Sequence, residues 1–199
     1  MSTPILQTKL YIPSLRPQRV PRLHLIERLQ DGLSRKLILI SAPAGFGKTT
    51  LVCDCLARID RTAVWLSLDE GDNDLTRFLT YVIAAFQQCD PAIGQMVQSM
   101  LQSPQPPPSE ELITILINDL STSSNRIVLV LDDYHLIKAQ PIHQALGFLL
   151  EHLPPALYYD HNASRSTIAP FALARTRAAN RNQGGRLTSH ASRDGHFPQ

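Results

Sequence analysis

The stretch Leu37 to Leu51, LILISAPAGFGKTTL, constrains this chain more than any other. An apolar run stops at a glycine-containing turn, and the turn leads through Lys48, Thr49 and Thr50 into a helical pattern. Strand, tight loop and helix in that order make a concavity in which backbone N–H groups converge, as phosphate oxygens require. Gly45 and Gly47 permit the dihedrals of the curl and leave no side chain in the way. The positive end of the following helix adds attraction for an anion. In such a loop Lys48 reaches the outer phosphates and the Thr49 hydroxyl ligates Mg2+. The binding segment is then Ala42, Pro43, Ala44, Gly45, Phe46, Gly47, Lys48, Thr49 and Thr50. The pattern departs from G-x-x-x-x-G-K-[ST] at its first position, where Ala42 replaces glycine. The plainer reading is an ordinary glycine turn before a helix.

A second element points the same way. Ile127 to Leu131 are five apolar residues in a row, which suggests a strand buried on both faces, and Asp132 and Asp133 close it. An acidic pair at the end of such a strand lies at the sheet edge where ligands bind. Asp132 is the candidate for holding Mg2+ through water, because Mg2+ keeps much of its hydration shell. Asp133 is the candidate for orienting or deprotonating an attacking water, with Lys48 as its catalytic partner on the phosphates. Alone, the pair also reads as a solvated turn.

At 199 residues the chain holds one sizeable domain, or one domain and a tail, and 43% hydrophobic content fits a globular protein. No apolar run is long enough to cross a membrane, and the N-terminus lacks the pattern of a secretory signal. Cys53, Cys55 and Cys89 are too few and badly spaced for a disulfide framework, so buried thiols in a reducing cytoplasm are expected. The net charge of +2 hides an asymmetry: residues 1–157 carry 13 basic against 15 acidic residues, and residues 158–199 carry six Arg against two Asp. The body therefore gives no reason to expect nucleic-acid binding through bulk charge.

Along the chain, residues 1–22 hold four prolines and are expected to lie extended over the surface, followed by a helix over about 23–33. Residues 1–35 form this N-terminal segment and leading helix; 36–157 form the core. Strands are expected at 36–40, 62–68 and 127–131. Helices are expected at about 47–58, 74–88 with Asp74 as N-cap, 91–101, 109–120 with Ser109 as N-cap, and 141–153. Strands alternating with helices indicate a three-layer α/β fold with a mainly parallel sheet. Trp65 reads as a core strand residue and His135 as loop packing.

With both phosphate-site elements located, the chain resembles the N-terminal ATPase domain of MalT-like, LuxR-type ATP-dependent transcriptional regulators, which are signal-transduction (STAND) P-loop NTPases. The matching stretches are TKLYIPSLRPQRVPR, SAPAGFGKTTL, WLSLDEGDNDLTRFLTYVIAAFQ and LVLDDYHLI. Ala42 as first loop residue is usual there. The resemblance implies ATP and Mg2+ as ligands, with Asp132 and Asp133 as the acidic pair and Arg22, in Val20-Pro21-Arg22, near the adenine. It implies an ATP switch with slow hydrolysis, in a longer protein that self-associates and carries sensor repeats and a helix-turn-helix. Those later domains are not in this sequence, so no specific DNA binding is expected of it. A P-loop phosphotransferase, another turnover ATPase, or a remnant without catalysis are the competing readings.

After residue 157 the resemblance fails. Where the family implies another buried strand ending in a Thr-Arg or Ser-Arg sensor, residues 158–199 are Arg-rich, Lys-free and without a sustained apolar period. They read as disordered, or as a slip of reading frame near Leu157: one permitted back-translation, read one nucleotide later, resembles the missing strand. The expected fold is thus an incomplete P-loop core in which the strands at 36–40 and 127–131 lack a partner between them, a state that invites aggregation.

Overall fold

A computed structural model describes residues 4–15, 18, 20–123 and 127–153, and the backbone of a strand at Phe171–Thr176. The elements are α1 (Leu23–Gly32), β1 (Leu37–Ala42), α2 (Lys48–Leu56), β2 (Thr62–Ser67), α3 (Leu75–Gln87), α4 (Gln95–Leu101), α5 (Ser109–Thr122), β3 (Ile127–Asp132), α6 (Gln140–His152) and β4 (Phe171–Thr176). Short 3₁₀ turns lie at Gln7–Leu10, Glu70–Asn73 and Tyr134–Leu136. The four strands form one parallel sheet in the order β1-β4-β3-β2. This is the expected α/β P-loop architecture, reduced to four strands among the described residues.

The five apolar residues of β3 are divided by the period of two. Ile127, Leu129 and Leu131 join a large core with residues of α3, α5 and α6, whereas Val128 and Val130 join Trp65, Val52 and Cys53 on the other face. Helices therefore cover both faces of the sheet, which is why β3 carries no polar residue until Asp132. Trp65 is buried in the smaller core and its indole N–H donates to Ser67 Oγ at 3.0 Å.

Four expectations change. The slot between β1 and β3 is filled: Phe171–Thr176 pairs along the whole of β1, from Leu37 opposite Phe171 to Ala42 opposite Thr176, and touches β3 through Ala172 and Leu173. The driving physics is the one that made a gap costly, since two facing ladders of unpaired N–H and C=O groups recruit an extended segment. The rest of 158–199, with the expected disorder and frame slip, lies outside the described residues. The N-terminal segment is not merely draped over the surface, because Lys9 and Leu10 are buried and Leu10 belongs to the large core. The helix expected from 91 begins at Gln95, because Gly94 stands at a left-handed φ of 72° with Ile83 against its α-carbon. Ser109 is the first residue of α5 and does not cap it; Pro108 precedes it in extended conformation. Asp74 does cap α3, accepting from Arg77 N–H at 2.8 Å.

Candidate functional site

The site is assembled at the C-terminal ends of β1 and β3. With β4 between them, these two strands stand two ladder spacings apart, roughly 10 Å. The loop from Pro43 curls through Gly45 at φ 80° and Gly47 at φ 70°, both left-handed, and α2 begins at Lys48. Only glycine adopts these conformations at little cost. A β-carbon at Gly47 would lie 2.6 Å from Arg22 Nη2, the free end of a flexible side chain that can move aside, so the φ is what demands glycine. Arg22 rests against the loop and donates to the Phe46 carbonyl at 2.8 Å. Lys48 Nζ folds back over the same loop, donating to the carbonyls of Ala42 at 3.1 Å and Pro43 at 3.2 Å. Thr50, two residues after Lys48, is exposed on the first turn of α2.

Thr49 bridges the two strand ends. Its hydroxyl donates to Asp132 Oδ2 at 3.0 Å, across 83 positions of sequence. Asp132 is 7% exposed. Burial, and then the charge of Asp133, push its carboxyl above the ordinary carboxylate range; the Thr49 hydroxyl, the Asp133 N–H and Lys48 pull the other way. Asp133 differs in every respect. It is exposed, and it holds φ 57°, a left-handed conformation found at no other non-glycine residue among those described. Its neighbour His135 points Nδ1 toward Asp133 Oδ1 at 3.7 Å, and that nitrogen has no hydrogen-bond partner.

Of the sequence candidates, the structure joins Thr49 of the loop to Asp132 and Arg22 to Phe46 of the loop, and Asp133 follows Asp132 at the same sheet edge with its carboxylate on the His135 side. A sequence profile of the AAA ATPase domain matches residues 18–159. The chain belongs to the AAA ATPase domain family. This AAA ATPase domain is 37% identical over 150 residues to the HTH-type transcriptional regulator MalT of Klebsiella pneumoniae (strain 342). It is 37% identical over 153 residues to that of Cronobacter sakazakii (strain ATCC BAA-894). These stretches cover 75% and 77% of this chain, and it spans only 16% and 17% of the length of those curated relatives. The resemblance to the ATPase domain of MalT-like regulators is thereby borne out.

Sequence reasoning missed two features of this AAA ATPase domain. A cavity of about 400 Å3 opens beside the loop, between α1 and the outer edge of β1, lined by Arg22, Leu25, Arg28, Leu29, Ile38 to Ala42, Phe46, Lys48 and Leu51. Its lining comes from three separate elements, and only the Arg-bearing helix ahead of the loop hinted at it. The second is an ionic knot behind β2, buried at Lys9 and Asp72: Lys9 bonds to Asp69 at 2.9 Å and to Asp72, and Arg77 Nε reaches Asp72 Oδ1 at 3.1 Å. The acidic stretch after β2 is a 3₁₀ turn capped by Asp69 and built on this knot. Cys53, Cys55 and Cys89 are free; burial pushes the Cys53 thiol up to about 11, so it is protonated and inert at neutral pH. No described helix is long and apolar enough to cross a membrane.

Proposed function

We propose that this chain is the ATP-binding module of a nucleotide-switched transcriptional regulator, one that binds Mg-ATP and hydrolyses it slowly. The observation that carries the reading is the 3.0 Å hydrogen bond from the Thr49 hydroxyl to Asp132, beside a glycine-shaped loop. It gives a hydroxyl and a carboxylate at one point, with the N-terminus of α2 pointing at the same place. The residues fit Mg2+: the Thr49 hydroxyl and the Asp132 carboxylate meet at one point, and Mg2+ is held by few protein oxygens, keeping its waters and the phosphates. When bound, the ion supplies charge neutralisation on the phosphates.

In this reading Lys48 exchanges the carbonyls of Ala42 and Pro43 for phosphate oxygens. Both bonds lie within its own loop, so release leaves the loop frame intact. Asp133 is exposed at the same edge and accepts the proton of a water there. Arg22 and the adjoining cavity serve the base end of the nucleotide. The relatives are named as HTH-type transcriptional regulators, which supports a regulatory rather than a metabolic role. In the longer protein, ATP stabilises one conformational state, self-association follows, and DNA contact belongs to other parts. A cytoplasmic setting suits the free thiols.

Titration of the chain with a fluorescent ATP analogue in Mg2+ is expected to saturate. Lys48→Ala removes charge-assisted hydrogen bonds worth about 1.5–3 kcal/mol, so affinity falls roughly 10- to 100-fold. Equal affinities would overturn the reading in favour of an interaction module without nucleotide. Rapid phosphate transfer to an added small-molecule acceptor would replace the switch with a phosphotransferase.

A further inference from the structure

The loop after β3 is held at both ends, and Asp133 stands between the two supports. At the first support, β2 and β3 run in register to their ends, Ser67 opposite Asp132, and Leu68 N–H donates to the Asp132 carbonyl at 3.1 Å. At the second, a side chain from the other strand's exit adds hydrogen bonds to the burial of Tyr134 and Ile137 in the large core. Asn73 Oδ1 accepts from Lys138 N–H at 2.6 Å and Ala139 N–H at 3.0 Å. Its Nδ2 donates to the Leu136 carbonyl at 3.0 Å and, at the same distance, to the Glu70 carbonyl of its own turn.

A left-handed conformation at a β-carbon-bearing residue costs on the order of 1–2 kcal/mol and persists only where the surroundings over-determine it. Asp133 pays no such cost into a buried contact, since its side chain is exposed. The turn that carries Asn73 is itself immobilised: Asp72, fully buried, accepts from Lys9, from Arg77 and from the Asp69 N–H. Lys9 and Asp72 thus fix the frame, and Asn73 transmits it across the gap to residues 136–139.

We infer that Asn73 is a positioning residue that sets the loop presenting Asp133 to the nucleotide site, an inference that rests on the hydrolytic reading above. It touches neither the phosphate loop nor any group assigned to the ligand. Its effect passes through Asp133 alone. Of the groups it holds, Lys138 is exposed and Leu136 and Ala139 are half-buried, so water reaches the lost partners in part and Asn73→Ala is expected to fold.

The experiment measures ATP affinity and steady-state hydrolysis for the 199-residue chain, Asn73→Ala, Asp133→Ala and the double variant. Asn73→Ala is expected to lower hydrolysis about tenfold or more, on the scale of a misplaced general base, with affinity changed less than about threefold. The double variant is expected to be no slower than Asp133→Ala alone, because both changes remove one function. Asn73→Asp keeps the acceptor for Lys138 and Ala139 but loses both donations, so it falls between. It carries the comparison if the alanine variant has no cooperative melt. Losses that multiply in the double variant, or affinity that falls with rate, overturn the inference. A wild type that binds Mg-ATP without turnover overturns the hydrolytic reading and this inference with it. A wild type that turns over, with Asn73→Ala at full rate, overturns the role of Asn73 alone.

Discussion

Asp132 sits where folding and ligand chemistry disagree. Its carboxyl is buried beside a second carboxylate, and both effects raise its folded pKa above the unfolded value. The folded state therefore binds the proton more tightly than the unfolded one, and stability falls as pH rises from the ordinary carboxylate value near 4 through the raised folded pKa. Asp132→Asn keeps an acceptor for the Thr49 hydroxyl and removes the charge. The variant is expected to melt higher than wild type at pH 7, by about 2–4 °C per kcal/mol relieved, with the difference closing as pH falls toward 4. It is also expected to lose the Mg2+-dependent part of ATP binding, because an amide does not replace an ionised ligand. Melting curves across that pH range, with and without Mg-ATP, check both halves; a variant that melts lower at pH 7 would show that the charge is not under strain. This residue was legible in the sequence as the end of an apolar strand, as were Gly45, Gly47, Lys48 and Thr49, because a local motif encodes a local curl. The left-handed φ of Asp133 was not, since nothing in Leu-Asp-Asp-Tyr-His demands it. Leu136 N–H donates to the Asp133 carbonyl at 3.0 Å, and the segment from 136 to 139 is in turn bonded by Asn73, distant in sequence.

Among the elements, the two helix layers and the parallel strands followed from periodicity, and the errors cluster where a distant partner decides. Residues 7–10 carry too few apolar positions to announce burial, yet Lys9 is 6% exposed because its ammonium meets Asp69 and Asp72 some sixty positions on. The ammonium also lies 4.7 Å from the centre of the Tyr81 ring. This knot joins the N-terminal segment to the exit of β2, the turn from which Asn73 reaches the site. Lys9→Ala leaves Asp72 buried with Arg77 as its remaining cation. Breaking a buried pair on one side costs about 3–5 kcal/mol, and the surviving Arg77 bond sets the expectation near the lower end. Urea unfolding checks this: the midpoint is expected to fall with the slope unchanged. An unshifted midpoint would mean that the N-terminal segment is not anchored by this lysine.

For the molecule as a whole, the decisive element is the one the sequence argued against. Residues 158–199 have the charge pattern of a tail, the family match ends at residue 159, and we propose that their reading frame departs from that of the relatives, which the coding DNA decides. Yet six residues of that stretch lie between β1 and β3, and Leu173 stands opposite Leu39 on one side and Leu131 on the other. A periodicity search does not find such a strand. Its membership is set by two vacant hydrogen-bonding edges and the short apolar run Phe171 to Leu173, not by an amphipathic pattern of its own. An interior strand bonds on both sides, so proline at its centre removes a ladder bond and is not accommodated as at an edge. Leu173→Pro is therefore expected to abolish the cooperative melt of the full chain, and a chain ending at residue 157 is expected to behave alike, eluting as aggregates through its two open edges. Wild type is expected to melt cooperatively, with saturating Mg-ATP at about 100 times Kd adding about 2.7 kcal/mol. If the chain ending at 157 melts as wild type does and keeps that nucleotide increment, β4 contributes nothing to the fold. The nucleotide site then stands on β1, β3 and their helices alone.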